Sequence, residues 1–398
     1  MLELINEKDQ QWLGQVWEKI TSKLSIVADR TGDMIPYTSV DGAYIEYGEM
    51  IMRRDGLHDR PQGDINWWTN GFWAGLMVMM FEGTGDRKYL EIARRNMDRM
   101  DQALANPQML HHDVGFMWNI SSGADYRLTG DEKQHSRLIQ ANAWLMNRYN
   151  LNGKFIRAWN SKNWNGYDTA GFSIIDCMMN IPMLYRLTEE TGDERFKMIA
   201  MSHADTTMQC HIRPDGSVNH IVMHDPINGG FVANHTGQGY NGYQYSSWSR
   251  GQAWALYGFA LSYTHTGKQE YLDAAKRVAH YFIANIAESD WLPLCDFRAP
   301  EKSLLYDSTA GACAACGLIE IAKSVDVMEK KLYLNAAMKL LKAMTDKFCD
   351  FDPNTDPILM MGTEAYGRKD QEHISIIYGD FFYVEAIQKL RKDIDFVW

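Results

Sequence analysis

The stretch Gly71-Phe-Trp-Ala-Gly-Leu-Met-Val-Met-Met80, followed by Thr84-Gly-Asp86 and a charged segment from Tyr89, decides the fold. Ten small or apolar residues without a polar face describe a helix buried on every side. Beyond the turn, Leu90, Ala93, Met97 and Met100 recur at spacings of three, four and three. That is one apolar stripe on an otherwise polar helix, which lies outside the first. Gly85 stops the first helix and Asp86 opens the second. The unit is an inner helix, a tight turn and an outer helix.

The unit recurs. The turn returns at Thr129-Gly-Asp131, Thr191-Gly-Asp193 and Thr266-Gly-Lys268, with a degenerate copy near Val327-Met-Glu-Lys330. Leu272, Ala275, Ala279 and Phe282 repeat the outer stripe, as do Leu334, Ala337, Leu341 and Met344. Ala253 to Leu261 and Ala310 to Ile319 repeat the all-apolar inner type, and a last inner helix is expected at Asp380-Phe-Phe-Tyr-Val-Glu-Ala-Ile387. About six hairpins without convincing alternating strands predict an all-α fold, an (α/α)6 barrel in the form of a six-hairpin toroid. A single catalytic domain over 1–398 is expected, since no linker or low-complexity segment divides the chain. It opens with a helix from Asp9 to Ala28 and an irregular lead-in, containing Pro36, Gly42 and Gly48, that ends about residue 60.

Composition narrows the function. The chain has 398 residues, 45% hydrophobic, and a formal charge of −11, without a Lys/Arg-rich run. Nucleic-acid binding is therefore not expected. No stretch approaches the ~20 apolar residues of a membrane span, and the charged N-terminus lacks a signal peptide's apolar core. A cytoplasmic location is expected, with a monomer or weak homo-oligomer as the state. The six cysteines sit mostly in apolar helix-like runs, as buried free thiols do, and Cys313-Ala-Ala-Cys316 reads as small-residue helix packing. Thirteen Trp and twenty Tyr suit sugar-stacking surfaces, although core packing accounts for most of them.

Polar and aromatic residues gather just ahead of the inner helices: Asn66-Trp-Trp-Thr-Asn70, His111-His-Asp113, Trp159 and Trp164, Trp248-Ser-Arg250, and Tyr306-Asp-Ser-Thr309. If the inner helices run parallel, these segments meet at one mouth. Helix N-termini there favour an anionic ligand. Asp176 lies among Ile174, Ile175, Cys177, Met178 and Met179, on the third inner helix. A carboxylate there loses hydration, and its pKa then rises toward the range useful for acid/base catalysis. The plainer reading is a core Asp bonded to a neighbouring helix end or an Arg. Asp113 and Asp176 together form the two-carboxylate set that glycoside chemistry uses. Arg250 and Trp254 share a helix face, either as a packing pair or as a carboxylate clamp beside a sugar platform. No HxxxH or HExxH spacing supports a metal, and none is expected.

Five segments, Trp68-Thr-Asn-Gly-Phe-Trp73, His111-His-Asp-Val-Gly-Phe116, Ile174-Ile-Asp-Cys177, Arg250-Gly-Gln-Ala-Trp254 and Tyr306-Asp-Ser308, occur in the order of the family pattern. With them the chain resembles the unsaturated glucuronyl hydrolases, glycoside hydrolase family 88, from about residue 60 onward. The resemblance implies a cofactor-free enzyme that hydrates the 4,5-unsaturated uronic acid at the non-reducing end of lyase-generated glycosaminoglycan oligosaccharides. Its partners would be such di- and oligosaccharides. Matched by motif, Asp176 would be the general acid/base and Asp113 the second essential carboxylate. Asn70, within the first matched segment, would contact the substrate. Trp68 and Trp159 would stack on sugar, and His220, Gln238, Arg250 and Trp254 would contact the unsaturated ring. Arg250 would orient its C6 carboxylate. Sulfate-preferring members carry hydroxyl and Lys residues near the C-terminal segment 361–369. Here Thr363, Arg368 and Lys369 would do that work, on a spacing that departs from theirs, and sulfate preference stays open. His235-Thr-Gly-Gln238 has one residue more than the family form. An unsaturated rhamnogalacturonyl hydrolase acting on pectin fragments is the nearest rival. A non-catalytic oligosaccharide-binding protein is the alternative from another class. An N-acylglucosamine 2-epimerase would need paired His at the inner-helix mouths.

Overall fold

The computed structural model describes residues 2–50, 65–160, 166–240, 245–299 and 305–398. Trp164 and the part of the lead-in at 51–64 lie outside the described residues. The helices run in chain order as α1 (Glu7–Thr31), α2 (Gly71–Thr84), α3 (Arg87–Ala105), α4 (Val114–Trp118), α5 (Ala124–Thr129) and α6 (Glu132–Asn147). They continue with α7 (Pro182–Thr191), α8 (Glu194–Cys210), α9 (Ser249–Thr266), α10 (Gln269–Ala287), α11 (Ser308–Ser324), α12 (Val327–Phe348) and α13 (Ile377–Lys392). A π-helical turn, Asn119–Gly123, joins α4 and α5 into one rod.

Six inner rods, α2, α4–α5, α7, α9, α11 and α13, form a closed ring in which α13 packs back on α2. The outer helices α3, α6, α8, α10 and α12 each follow an inner one. The sixth outer position is filled by α1, which lies against α13, so the first helix of the chain serves the last. The expected six hairpins are present, with the sixth built from the two ends of the chain.

The turns explain why the hairpins are tight. Gly85, Gly130, Gly192 and Gly267 have φ of 75°, 70°, 74° and 66°, the left-handed cap that glycine adopts without a Cβ penalty. The side chains of Asp86, Asp131 and Asp193 each accept from the N–H two residues on, at 3.0 Å, capping the next helix. Lys268 holds that position in the fourth turn without a side-chain cap. The degenerate fifth turn lacks the glycine and is capped by Asp326, whose side chain accepts from Met328 N.

The two helix types bury as their patterns demand. Every residue from Gly71 to Met80 is buried, and so is every residue from Ser249 to Ser262. On the outer helices the predicted stripes Leu90/Ala93/Met97/Met100 and Leu334/Ala337/Leu341/Met344 face inward. A column of rings fills the barrel axis: Trp68 packs on Tyr378 at 5.1 Å, Trp254 on Phe116 and Phe382 at 5.1 and 5.5 Å, and Phe382 stacks on Trp398. Cys177, Cys295, Cys313 and Cys316 are buried free thiols, with Cys313 and Cys316 both inside α11.

Among the described residues, three small sheets depart from the strandless expectation. The lead-in contains a hairpin, β1 (Pro36–Val40) with β2 (Ala43–Glu46). β3 (Tyr149–Asn150) pairs with β4 (Phe155–Ile156), and β5 (Phe172–Ile174), β6 (Ile221–His224) and β7 (Phe231–His235) form an antiparallel sheet. Asp176 consequently does not sit on a long inner helix. It follows β5 in a 3-10 turn, Ile175–Met179, and α7 begins at Pro182. The physical reason is local: β-branched Ile174 and Ile175 favour extended backbone, and Pro182 suits the first turn of a helix better than its interior.

Candidate active site

Residues ahead of α2, α4, α7 and α9 meet around a cavity of about 310 Å³. The Tyr306–Thr309 segment ahead of α11 does not line it and connects to it through the bond from Arg250 to Asp307. Trp67 and Trp68 reach it from the loop before α2, and His111, His112 and Asp113 from the segment that opens α4. Asp176 and His220 come from the ends of β5 and β6. Their meeting follows from the sheet register, in which Ile174 pairs with Ile221 and Ile175 N–H donates to His220 O at 3.0 Å. Trp159, Gln238, Trp248, Arg250 and Arg368 complete much of the wall. A larger, open groove of about 530 Å³ runs along α10 beside Asp273, Lys276, Arg277 and His280. It lies on the outer helix layer and contains none of the predicted site residues.

The two carboxylates differ. Asp113 is 9% exposed by side chain, with its Oδ2 at 3.1 Å from His111 Nδ1 and 3.4 Å from His112 Nε2, while Oδ1 accepts from Asn180 Nδ2 at 3.1 Å. Burial raises the Asp113 pKa above the ordinary carboxylate range, His111 pulls it back, and the charge of Asp176 adds to the rise. The side chain of Asp176 is 16% exposed to the cavity, and its Oδ2 lies 3.5 Å from His220 Nε2. The flanking Ile175, Cys177, Met178 and Met179 are fully buried. The apolar run thus anchors the turn in the core and leaves its one carboxylate facing the cavity. Burial also drives the pKa of His112 well below its ordinary value, so that ring is neutral.

Arg250 is held on several sides. Its Nη1 donates to Asp307 Oδ2 at 2.5 Å, Thr363 O at 2.7 Å and Thr309 Oγ1 at 3.2 Å, and Nη2 donates to Glu364 O at 2.7 Å. The guanidinium lies 4.4 Å from the ring centre of Trp248. Among the described residues, His111, His112 and Asp113 form the group that could hold a metal, with donor atoms within 4.8 Å of one another. The same distances fit His–carboxylate contacts.

The family model of Glycosyl Hydrolase Family 88 matches residues 46–352. The chain belongs to that family. It is a glycoside hydrolase, and its fold is the (α/α)6 barrel. It is 33% identical to the unsaturated glucuronyl hydrolase of Bacillus sp. (strain GL1) over 356 residues, 86% of this chain and 91% of that protein. It is 32% identical to the unsaturated chondroitin disaccharide hydrolase of Streptococcus agalactiae serotype III (strain NEM316), over 83% of each chain. The crystal structure of the Bacillus sp. GL1 unsaturated glucuronyl hydrolase superposes with a TM-score of 0.84, at 31% identity, covering 94% of this chain and 97% of that one.

In this family 88 hydrolase, eight of the twelve residues singled out from sequence border the cavity: Trp68, Asp113, Trp159, Asp176, His220, Gln238, Arg250 and Arg368. Four do not. Asn70 is buried at the N-cap of α2, and Trp254 is buried one layer down against Phe116 and Phe382. Thr363 is buried, its hydroxyl donating to Tyr306 O at 2.6 Å and its carbonyl accepting from Arg250. Lys369 is exposed outside the cavity wall. Sequence reasoning passed over Asn180, which ends the Asp176 segment and reaches Asp113. An amide inside an apolar run carried the same signal of a buried polar group that drew attention to Asp176.

Proposed function

We propose that this family 88 hydrolase releases a 4,5-unsaturated uronic acid from the non-reducing end of lyase-generated glycosaminoglycan oligosaccharides of chondroitin or hyaluronan type. The observation that carries the reading is the pair Asp113 and Asp176 on one cavity, beside His220 and Arg250. The likeness to an unsaturated glucuronyl hydrolase and an unsaturated chondroitin disaccharide hydrolase supports the substrate class.

The chemistry is hydration of a vinyl ether. Asp176, as the acid, gives its proton to C4 while positive charge develops at C5 and the ring oxygen. Asp113, close to the ring hydroxyls, stabilises that charge. Water adds at C5 and returns a proton to Asp176, which acts as a base in this second half. The resulting hemiketal opens, C1 becomes a hemiacetal carbon, and the remaining sugar leaves. Trp68 and Trp159 offer ring faces for stacking. Trp67 Nε1, Trp248 Nε1 and His220 Nδ1 are buried without a protein hydrogen-bond partner, on residues that line the cavity. Arg250 borders the cavity, and in this reading it would orient the C6 carboxylate, a planar anion that suits its planar guanidinium.

The test is loss of the ultraviolet absorbance of the conjugated uronate. Unsaturated disaccharides from hyaluronan, from unsulfated and sulfated chondroitin, and from pectin would be compared. Loss on a glycosaminoglycan disaccharide supports the reading and ranks the sulfated forms. Loss on the pectin fragment alone would transfer the activity to the rhamnogalacturonyl type.

A further inference from the structure

Asn180 is completely buried, and both ends of its amide are engaged. Its Oδ1 accepts from Phe116 N–H at 2.9 Å. Its Nδ2 donates to Asp113 Oδ1 at 3.1 Å and to the backbone carbonyl of Asp176 at 3.0 Å. The partners fix the orientation of the amide, because a backbone N–H only donates and a carbonyl only accepts. One side chain therefore ties the first turn of α4, the carboxylate of Asp113 and the 3-10 turn that carries Asp176. Gly115 makes the approach possible: a Cβ there would lie 2.7 Å from Asn180 Cα and 2.8 Å from its Oδ1. The His111 and His112 contacts of Asp113 come from adjacent residues of the same segment. Asn180 is the contact that refers Asp113 to the other carboxylate.

We propose that Asn180 is a positioning residue that sets the orientation of Asp113 relative to Asp176 and supplies, without adding charge, a donor to the Asp113 carboxylate. The proposal rests on reading these two Asp as the reacting pair. A cation at this position would form an ion pair with Asp113, and a carboxylate would repel it. The neutral amide satisfies Asp113 and leaves its charge available to substrate.

The test follows the titration of Asp113 by carbon NMR of its carboxyl group, assigned by comparison with Asp113→Asn, in wild type, Asn180→Asp and Asn180→Ala. Asn180→Asp keeps the volume and an acceptor for Phe116 N–H but loses the donor. Both variants are expected to raise the Asp113 midpoint by roughly one pH unit or more, the direction expected when a hydrogen bond to the charged form is lost. With the unsaturated disaccharide, kcat should fall roughly 10- to 100-fold, as expected for a small misplacement, with KM changed less than about threefold. In wild type, where no variant has to fold, the Asn180 amide proton shift should titrate with the same midpoint as Asp113. An Asp113 midpoint within about 0.3 unit of wild type in a folded variant, or an Asn180 amide shift flat across that range, overturns the proposal. These titrations need no substrate. If the wild-type protein left every unsaturated disaccharide unchanged, the reading of the reaction would fail while the titrations still decided the role of Asn180.

Discussion

Arg250 Nη1 stands 2.5 Å from Asp307 Oδ2, with the two side chains 1% and 0% exposed. Asp307 also caps α11, its Oδ1 accepting from Thr309 N–H at 3.2 Å and Thr309 Oγ1 at 2.6 Å. One carboxylate thus holds both a helix start and the cation on the cavity wall. Removing it leaves a buried guanidinium uncompensated, which costs about 3–5 kcal/mol. Asp307→Ala should lower stability by that amount in denaturant unfolding and raise KM for an anionic substrate. An unchanged unfolding midpoint would contradict the pairing.

Trp254 and Trp159 share a residue type but occupy different layers. Trp254 packs in the ring column, whereas Trp159 borders the cavity and packs on Phe172 at 6.0 Å. Trp254→Ala should cost about 3–5 kcal/mol of stability, the usual range for truncating a buried Trp. Trp159→Ala should instead act mainly through KM. A Trp254→Ala protein as stable as wild type, with only KM raised, would move that ring into the substrate site.

Arg368 and Lys369 are neighbours with different prospects. Both are exposed, but only Arg368 borders the cavity. Arg368→Ala should raise KM for an anionic disaccharide about two- to fivefold, the scale of a solvated ion pair, and less at high salt. Lys369→Ala should leave KM within about twofold on the same scale. Equal effects from both would bring Lys369 to the substrate.

Buried imidazoles behind the Asp176 sheet give a pH signature. His211 is fully buried, with its Nε2 2.9 Å from Ser173 Oγ and its Nδ1 2.8 Å from Asn219 O, and burial pushes its pKa down to about 3. The unfolded chain protonates this ring at about pH 6.5, so the contribution of the neutral form is full above that pH and is lost as pH falls toward 3. One such group contributes a slope of about 1.4 kcal/mol per pH unit. Stability of His211→Asn, measured by denaturant unfolding from pH 6.5 to 4.5, should fall less steeply than wild type by about that slope. Parallel curves would show that the ring protonates in the folded protein.

How far the sequence could be read follows from how local each cause is. The Thr-Gly-Asp turns and the two burial patterns act within one helix or one turn, so the inner and outer layers and their number were legible. The 3-10 turn at Asp176 was not, because an apolar run long enough for a helix also suits a strand that ends in a buried turn. Only Ile174-Ile175 and Pro182 hinted at it. His220 and Asp176 lie 44 residues apart in sequence and meet through the register of β5 and β6, which no periodicity records. Trp254 looked like a platform because it shares a helix face with Arg250. Packing against Phe116 and Phe382 placed it a layer lower.

The most direct measurement is turnover by Asp176→Asn, followed by ultraviolet absorbance on an unsaturated chondroitin disaccharide, beside wild type and with binding measured separately. Wild type should erase the absorbance. The variant should fold and bind as wild type does, with kcat lower by ~10²–10⁴-fold, the typical share of acid/base catalysis. A folded Asp176→Asn protein that retains more than about a tenth of the wild-type rate would contradict the assignment of Asp176 as the proton donor.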